Sequence, residues 1–320
     1  MDGLRGEPRL RRTLIPGRSD IIFARNRPER TTDSDLAAIT RLIERYDDGR
    51  RLVINPQSSF LLADSKDRSY DAWSRAGLQC PRHWVLETDP DDPADLGCVE
   101  RALALLESHP RILLRTNNEW GGRSTHFVDR ETPTDRVREI LLQLKKHLTR
   151  WRHTRSDTRI LAVEYVDTRD AGGYAILTRA YVVLDHVFNY HVVVSDRMNI
   201  HMHDMTPECY ERWLEANREV RRMFADPAIS TEIMRAVTSL GNNIGGLDFL
   251  MREGKPVFLE LNPVWGGVKG PYDFGNEDFQ RLLEKTEDSW SRELPNVVEN
   301  LDVVEFYRRM YAYIADYADG

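Results

Sequence analysis

Two carboxylates and a carboxamide lie close together near residue 250 of the chain. Two short apolar runs flank the polar tetrad 252–255, and this pattern predicts a β-hairpin that turns at Gly254. Counted from that turn, Asp248 lies opposite Glu260. Asn262 joins Glu260 on the same face, because side chains alternate between the two faces of a strand.

The other face of this hairpin is apolar and is predicted to pack on a core; its members are Leu247, Phe249, Met251, Val257, Leu259 and Leu261. Like charges that face each other across a sheet destabilise it. A cation between Asp248 and Glu260 would remove that repulsion, and Mg²⁺ prefers carboxylate and carboxamide oxygens as ligands. The pattern therefore predicts a Mg²⁺ site made of Asp248, Glu260 and Asn262. The alternative is a surface hairpin with solvated acids.

Composition limits the classes of function open to the chain. Its 320 residues are enough for two or three packed units. A net charge of −7 gives no electrostatic case for nucleic acid as a partner. No apolar run is long enough to cross a bilayer or to read as a signal peptide. The three cysteines are far apart in the sequence and fit reduced thiols, so we expect a cytoplasmic protein.

Helical and strand patterns alternate along the chain and predict an α/β (α+β) fold. The predicted helices are Asp33–Tyr46, Ser65–Ala76, Ala94–Ser108, Thr134–Trp151, Pro207–Phe224, Ser230–Leu240, Glu277–Leu294 and Asn300–Ala318. The strands predicted before the hairpin that turns at Gly254 are Asp20–Ala24, Arg51–Ile54, Arg82–Glu87, Arg111–Arg115, Ser124–Val128, Arg159–Val166, Tyr174–Leu184 and His186–Val194. The last two form a second hairpin that turns near Asp185. Residues 1–20 show no periodicity.

Several basic residues stand where a phosphate could be bound. Arg115 ends a strand and precedes a loop that contains Gly121 and Gly122, and glycines allow a backbone to approach a phosphate closely. The alternative for this segment is an ordinary hairpin. Arg179 lies within a very apolar strand, where it either pairs with an acid of a cleft or holds a phosphate. The sequence leaves both alternatives open.

Taken together, these segments resemble the ATP-grasp superfamily. Asp248 in GGLDFL and Glu260-x-Asn262 in FLELNP are similar to that family's metal-binding acid and E-x-N motif. Residues 64–81, DSKDRSYDAWSRAGLQCP, resemble its segment with a lysine and a helix. Residues 111–128, RILLRTNNEWGGRSTHFV, resemble its phosphate-gripping strand and loop, with Arg115 where the family usually has lysine. LAVEYV and TRAYVVLDHVF resemble the adenine hinge and the strand with a phosphate-contacting arginine.

The resemblance implies two α+β subdomains that grip ATP between antiparallel sheets, with a reduced N-terminal α/β lobe. The implied divisions are 1–60 for the lobe, 61–165 for the subdomain with the glycine-rich loop, and 166–320 for the subdomain with the metal site. It also implies ATP and Mg²⁺ as cofactors. The implied nucleotide-binding residues are Lys66, Arg115, Gly121, Gly122, Glu164, Tyr165, Val166 and Arg179, of which Lys66 and Arg179 are also catalytic.

The activity that the resemblance implies is ligation of a carboxylate to an amine through an acyl phosphate. The acid would be an amino acid or a small peptide-like acid, and the Gly266-Gly267 turn resembles the place where such enzymes hold it. The expected partners are these small molecules, without nucleic acid or membrane, and a homodimer is an open alternative. A small-molecule kinase and a non-catalytic nucleotide-binding protein are the competing functions.

Overall fold

A computed structural model of the chain describes residues 11–14, 20–23, 32–47, 52–56, 62–86, 97–118, 124–152, 156–198, 200, 205–263 and 277–319. The predicted Gly121, Gly122, Gly266 and Gly267 lie outside these residues. No helix in the described parts of the chain is long and apolar enough to cross a membrane.

The first elements form a small three-stranded sheet. In chain order they are β1 (Arg11–Leu14), β2 (Asp20–Phe23), α1 (Asp33–Tyr46) and β3 (Leu52–Ile54). Strand β2 pairs in parallel with β3, as the predicted βαβ-like opening requires, and β1 adds an antiparallel strand that the sequence pattern does not predict. Helix α1 has the predicted bounds, and Thr32 caps its N-terminus. The Thr32 hydroxyl accepts from the Asp35 amide, and the Asp35 carboxylate accepts from the Thr32 amide.

The middle of the chain builds a four-stranded antiparallel sheet. After α2 (Lys66–Arg75) come β4 (His83–Leu86), α3 (Gly97–Ser108), β5 (Arg111–Thr116), β6 (His126–Asp129), α4 (Thr134–Arg152) and β7 (Ile160–Glu164). The strand order is β4-β7-β5-β6, and all pairs are antiparallel. Helices α3 and α4 bury their apolar faces on this sheet.

A second four-stranded antiparallel sheet follows, in the order β11-β10-β8-β9. Its elements are β8 (Ala175–Val183), β9 (His186–Ser195), α5 (Tyr210–Phe224), α6 (Pro227–Thr238), β10 (Ile244–Arg252) and β11 (Lys255–Asn262), and α7 (Glu277–Trp290), α8 (Pro295–Leu301) and α9 (Val303–Asp319) complete the chain. The predicted α+β class with antiparallel sheets is therefore confirmed, and the domain divisions remain predictions.

Several predicted helices have different bounds in the structure; the one predicted over Glu277–Leu294, for example, ends at Trp290. The helix predicted from Pro207 begins with a 3₁₀ turn and becomes α-helical at Tyr210. Helix α6 begins at Pro227 and not at Ser230, because proline needs no amide partner in a first turn and the Asp226 carboxylate caps the Ala228 amide. The helix predicted from Asn300 begins at Val303 as α9, because Asn300 and Leu301 are the end of a separate helix, α8, and Asp302 lies between the two.

The core beneath the second four-stranded sheet is centred on Trp73 of α2. This ring is fully buried, lies 5.7 Å from the ring of Phe258, and donates through its indole N–H to the Ala236 carbonyl. Helix α2 is thus fixed to β11 and to α6, although the chain connects it to the first four-stranded sheet. This packing places the N-terminus of α2, with Lys66, beside the end of β11.

Candidate active site between the two sheets

The predicted pairing of Asp248 with Glu260 is confirmed by the strand register. The turn itself is formed by Glu253 and Gly254, both with positive φ (53° and 75°), as a two-residue hairpin turn requires. Arg252 therefore pairs with Lys255, and a bulge beyond Phe249 shifts the register by one residue. The shift brings Glu260 opposite Asp248. The hairpin pattern predicts the correct pair, but the pairing depends on a bulge that the pattern does not reveal.

The bulge also changes which residues share a face. Leu247, Phe249 and Leu261 lie in the core as predicted. Val257 and Leu259, predicted on that apolar face, instead pack with Leu250 in a separate apolar cluster that borders the acids. The prediction was wrong for these two residues, because a bulge turns two successive side chains of one strand toward the same side.

One row of side chains crosses all four strands of the second four-stranded sheet. Glu260 pairs with Asp248, Asp248 with Arg179, and Arg179 with His191, so each of the four strands contributes one residue. We call this set the charged row. Neighbouring strands are about 4.8 Å apart, so the row is on the order of 15 Å long. It lies on the face of the sheet that lines a cavity.

Each carboxylate of the row has a basic partner. Arg179 donates to both oxygens of Asp248, at 2.5 and 2.6 Å. The Lys66 ammonium, from the start of α2, lies 3.0 Å from Glu260 Oε1. The predicted repulsion between two unpaired acids is therefore wrong, because the tertiary structure supplies a cation to each of them.

Three basic side chains meet at this end of the row. Arg115 approaches from β5 of the first four-stranded sheet. Burial raises the pKa of Glu260, but the positive charges of Lys66 and Arg115 outweigh this effect and lower that pKa. Burial and Arg115 lower the pKa of Lys66 to about 8, although Glu260 opposes this. Burial raises the pKa of Asp248 despite its pairing with Arg179. Three cations thus share a largely buried place with the two acids of the row, and Asp64 adds a third carboxylate near Lys66.

The charged row faces a cavity of about 480 Å³ between the two four-stranded sheets. One wall of the cavity comes from β5, β6 and β7, and the other wall comes from the second four-stranded sheet. The predicted site residues among its lining are Arg115, Glu164, Tyr165, Val166, Arg179, Asp248, Glu260 and Asn262. Lys66 contacts the same group through Glu260. The predicted residues of the lining, from Arg115 to Asn262, are up to 147 positions apart in the chain and meet at one concave site. Its volume is in the range of small-molecule pockets.

An apolar patch adjoins the row inside this cavity. Leu177 and Leu250 lie next to Arg179 and Asp248 on the same sheet face, and they pack with Val166 and Leu259. The predicted hinge, Glu164–Val166, borders this patch. The amides of Glu164 and Tyr165 donate to the carbonyls of Arg82 and Arg111, which limits the backbone groups that these two residues can offer to a base.

A buried polar network holds the chain where it leaves β5. The Asn117 amide group donates to the Ser65 hydroxyl at 2.9 Å and to Asp67 at 3.2 Å, and its oxygen accepts from the Arg159 amide. The Lys66 amide in turn donates to the Asn117 carbonyl. The start of the predicted glycine-rich loop is therefore fixed to the N-terminus of α2, beside Lys66. The glycines of the loop lie outside the described residues.

His191 is a member of the charged row that was not predicted as a site residue. Its place in the charged row follows from the β8–β9 hairpin, since Arg179 and His191 are equally distant from a turn near Asp185. That signal was present in the sequence. Leu113 and Phe127 line the cavity from the first four-stranded sheet. No local sequence pattern indicates that these two residues belong to the site.

Two acids of the charged row and the neighbouring Asn262 have the side-chain oxygens that a Mg²⁺ ion prefers as ligands. Asp248, Glu260 and Asn262 present hard oxygen donors to one cavity, and the amide group of Asn262 lies 3.4 Å from Asp248. A carboxylate has about four lone-pair positions, so the two bonds from Arg179 leave Asp248 able to bind a metal as well. The ion would lie at the Glu260 end of the row.

Comparison with known proteins gives likenesses of fold only. No family model matches the chain, and no curated protein matches it. Among solved structures, the chain is similar to the ATP-grasp ligase PsnB in complex with a phosphomimetic variant of a minimal precursor, Mg and ADP. The identity is 15%, the TM-score is 0.45, and the match covers 76% of this chain and 62% of PsnB.

Two further solved structures are similar to a comparable degree. A RimK domain ATP-grasp protein from Sphaerobacter thermophilus has 14% identity, a TM-score of 0.44, and coverage of 77% of this chain and 73% of that one. An L-amino acid ligase from Bacillus licheniformis has 16% identity, a TM-score of 0.45, and coverage of 77% and 55%. The match thus covers less than two thirds of the L-amino acid ligase and of the PsnB chain in that complex, and 70% of the PsnB chain in another complex.

Proposed function

We propose that the chain binds Mg²⁺-ATP in the cavity between its two four-stranded sheets and uses it to join a carboxylate to an amine. The observation that carries this proposal is the convergence of Lys66, Arg115 and Arg179 on Asp248 and Glu260. Three cations from three different elements repel one another there. A polyanionic ligand such as a triphosphate would relieve that repulsion, and the two acids, Asp248 and Glu260, can bind the metal ion of that ligand.

The cavity offers a place to each part of the nucleotide. The adenine would lie on the apolar patch beside Val166, and the triphosphate would extend over the charged row toward Lys66 and Arg115. Mg²⁺, when bound by Asp248, Glu260 and Asn262, would neutralise charge on the β- and γ-phosphates. Enzymes of phosphoryl transfer act mainly through such positioning and charge stabilisation.

In the proposed reaction an oxygen of the carboxylate attacks the γ-phosphorus, and the bond to the β,γ-bridging oxygen breaks. ADP leaves with that electron pair, and an acyl phosphate remains. An amine then attacks the acyl carbon and displaces phosphate, so that an amide forms. Arg179 and Lys66 would hold the transferring group, because their charges lie where its negative charge is spread.

We expect ATP and Mg²⁺ together to raise the melting temperature of the protein. A ligand that binds only the native state stabilises it by mass action, by about 2.7 kcal/mol at a hundred times its Kd. Differential scanning fluorimetry with ATP alone, Mg²⁺ alone and both together measures this. An unchanged melting temperature at millimolar Mg²⁺-ATP would argue strongly against the proposed site.

Release of ADP then separates the competing functions. A ligase releases ADP only when an acid and an amine are both present, whereas a small-molecule kinase needs a single acceptor. Mass spectrometry of mixtures of amino acids with ATP would identify an amide or a phosphorylated product. A protein that binds ATP without any acceptor-dependent ADP release would be a non-catalytic nucleotide-binding protein.

Arg115→Ala is expected to weaken ATP binding by about 1.5–3 kcal/mol, the usual contribution of a charge-assisted hydrogen bond, or roughly one to two decades in Kd. Arg115→Lys should recover part of this loss, since it restores the charge but not the planar fork of the guanidinium. Titration calorimetry at fixed Mg²⁺ measures both. Arg138→Ala is a control, because Arg138 lies on α4, pairs with Asp135 and does not line the cavity. Equal affinity of all variants would remove Arg115 from the site.

A further inference from the structure

His191 occupies the end of the charged row that is farthest from Glu260. Its side chain is buried, with an exposed fraction of 2%, and it nevertheless lines the cavity. Arg179 lies between His191 and Asp248 in the strand register. The row therefore has a metal-binding end and an imidazole end, joined by one guanidinium. The imidazole has no part in the proposed nucleotide site.

Tyr181 fixes one nitrogen of this imidazole. Its phenol oxygen lies 2.6 Å from His191 Nδ1, across the diagonal of the β8–β9 pair. Tyr181 is itself fully buried and packs edge-to-face on Phe306 of α9, at 5.4 Å between ring centroids. When the phenol O–H donates to Nδ1, the ring proton must be on Nε2. In that arrangement Nε2–H is the remaining donor of the ring.

The surroundings keep this histidine uncharged. Burial and the positive charge of Arg179 hold the pKa of His191 well below its ordinary value. A neutral imidazole donates a hydrogen bond from Nε2–H without needing a counter-ion, and it adds no repulsion to the adjacent guanidinium. Arg179 uses Nε and Nη2 for Asp248, and a guanidinium has five N–H donors. A neutral donor beside a guanidinium is suited to an anionic oxygen.

We infer that Arg179 and Nε2–H of His191 together hold the carboxylate of the acid substrate. This inference rests on the proposed function and assigns a place to one of its two substrates. Arg179 lies between the two ends of the row, so it can contact both the transferring phosphoryl group and the carboxylate that attacks it. His191 would orient the carboxylate by a hydrogen bond and would exchange no proton, because an ionised carboxylate has none to give.

The direct test uses acetate as the carboxylate probe and ring-¹⁵N-labelled histidine in the full chain. The ¹⁵N spectrum should show His191 as the Nε2-protonated tautomer, and its signals should shift on addition of acetate. His109, which does not line the cavity, serves as an internal control and should not respond. A His191 ring protonated on Nδ1, or one that ignores acetate at every concentration, would overturn the inference.

Four variants sharpen the test. His191→Phe removes the donor, and His191→Asn places its amide near Nδ1, where it can reach only Tyr181. Both should weaken acetate binding about ten- to hundredfold, the range for a hydrogen bond to a charged group. His191→Gln places an N–H near Nε2 and should stay within about threefold of the parent. Tyr181→Phe should shift the tautomer equilibrium. Equal acetate affinity in the Phe and Gln variants would contradict the proposed role.

Nucleotide binding provides an independent arm. The rise of melting temperature with Mg²⁺-ATP should be the same in His191→Phe as in the parent. If the parent protein does not bind ATP but its affinity for acetate still falls in His191→Phe, the proposed function is wrong and the carboxylate site is supported. If ATP binds and the affinity for acetate is the same in His191→Phe as in the parent, the carboxylate site is wrong and the nucleotide site is supported.

Discussion

Glu260→Gln is expected to lower turnover by at least about a thousandfold, equivalent to ~4 kcal/mol of transition-state stabilisation. Glutamine keeps the shape of the side chain but removes the negative charge that would bind Mg²⁺ and pair with Lys66. ADP release under saturating substrates measures the effect. Glu253→Gln is the matched control, because Glu253 is exposed at the turn of the same hairpin.

The same substitution also tests the ion pair. Lys66 is almost fully buried, and Glu260 is its partner at 3.0 Å, so Glu260→Gln should lower the free energy of unfolding by roughly 1–3 kcal/mol. Asn262→Ala should lose turnover with a smaller loss of stability, because its bond to Asp248 is long, at 3.4 Å. Turnover of Glu260→Gln within tenfold of the parent would place the metal elsewhere.

The second large effect concerns stability. Arg179→Ala should lower the free energy of unfolding by about 3–5 kcal/mol, because it leaves the buried Asp248 carboxylate without its bidentate partner. Urea unfolding of the metal-free protein measures this. Arg252→Ala is the control, since its pair with Glu164 is longer, at 3.5 Å, and more exposed. It should cost no more than about 1 kcal/mol.

A double-mutant cycle separates the pair from its surroundings. Arg179→Ala combined with Asp248→Asn should cost less than the sum of the two single changes, because the second change removes the charge that the first leaves unpaired. The coupling should exceed about 1 kcal/mol. Strict additivity would show that the two side chains stabilise the sheet independently of each other.

Local patterns in the sequence were enough to predict the facing acids. A hairpin is a local structure in which a short turn fixes the register, and strand side chains alternate between two faces. A count centred on Gly254 therefore pairs Asp248 with Glu260, although in the structure it is the bulge in β11 that brings these two residues into register. The same reasoning places His191 opposite Arg179. The bulge in β11 could not be predicted in this way, and it moved Val257 and Leu259 to the other face.

Only the tertiary structure decided which cations meet these acids. Lys66 lies 194 positions before Glu260 in the chain, and it reaches the carboxylate because Trp73 fixes α2 to β11 and α6. Arg115 reaches the same place from a separate sheet. No local pattern contains such contacts, since they arise from the burial of apolar faces between elements that are distant in sequence. The sequence alone determined which residues could bind a metal and phosphates, and long-range packing determined that they share one cavity.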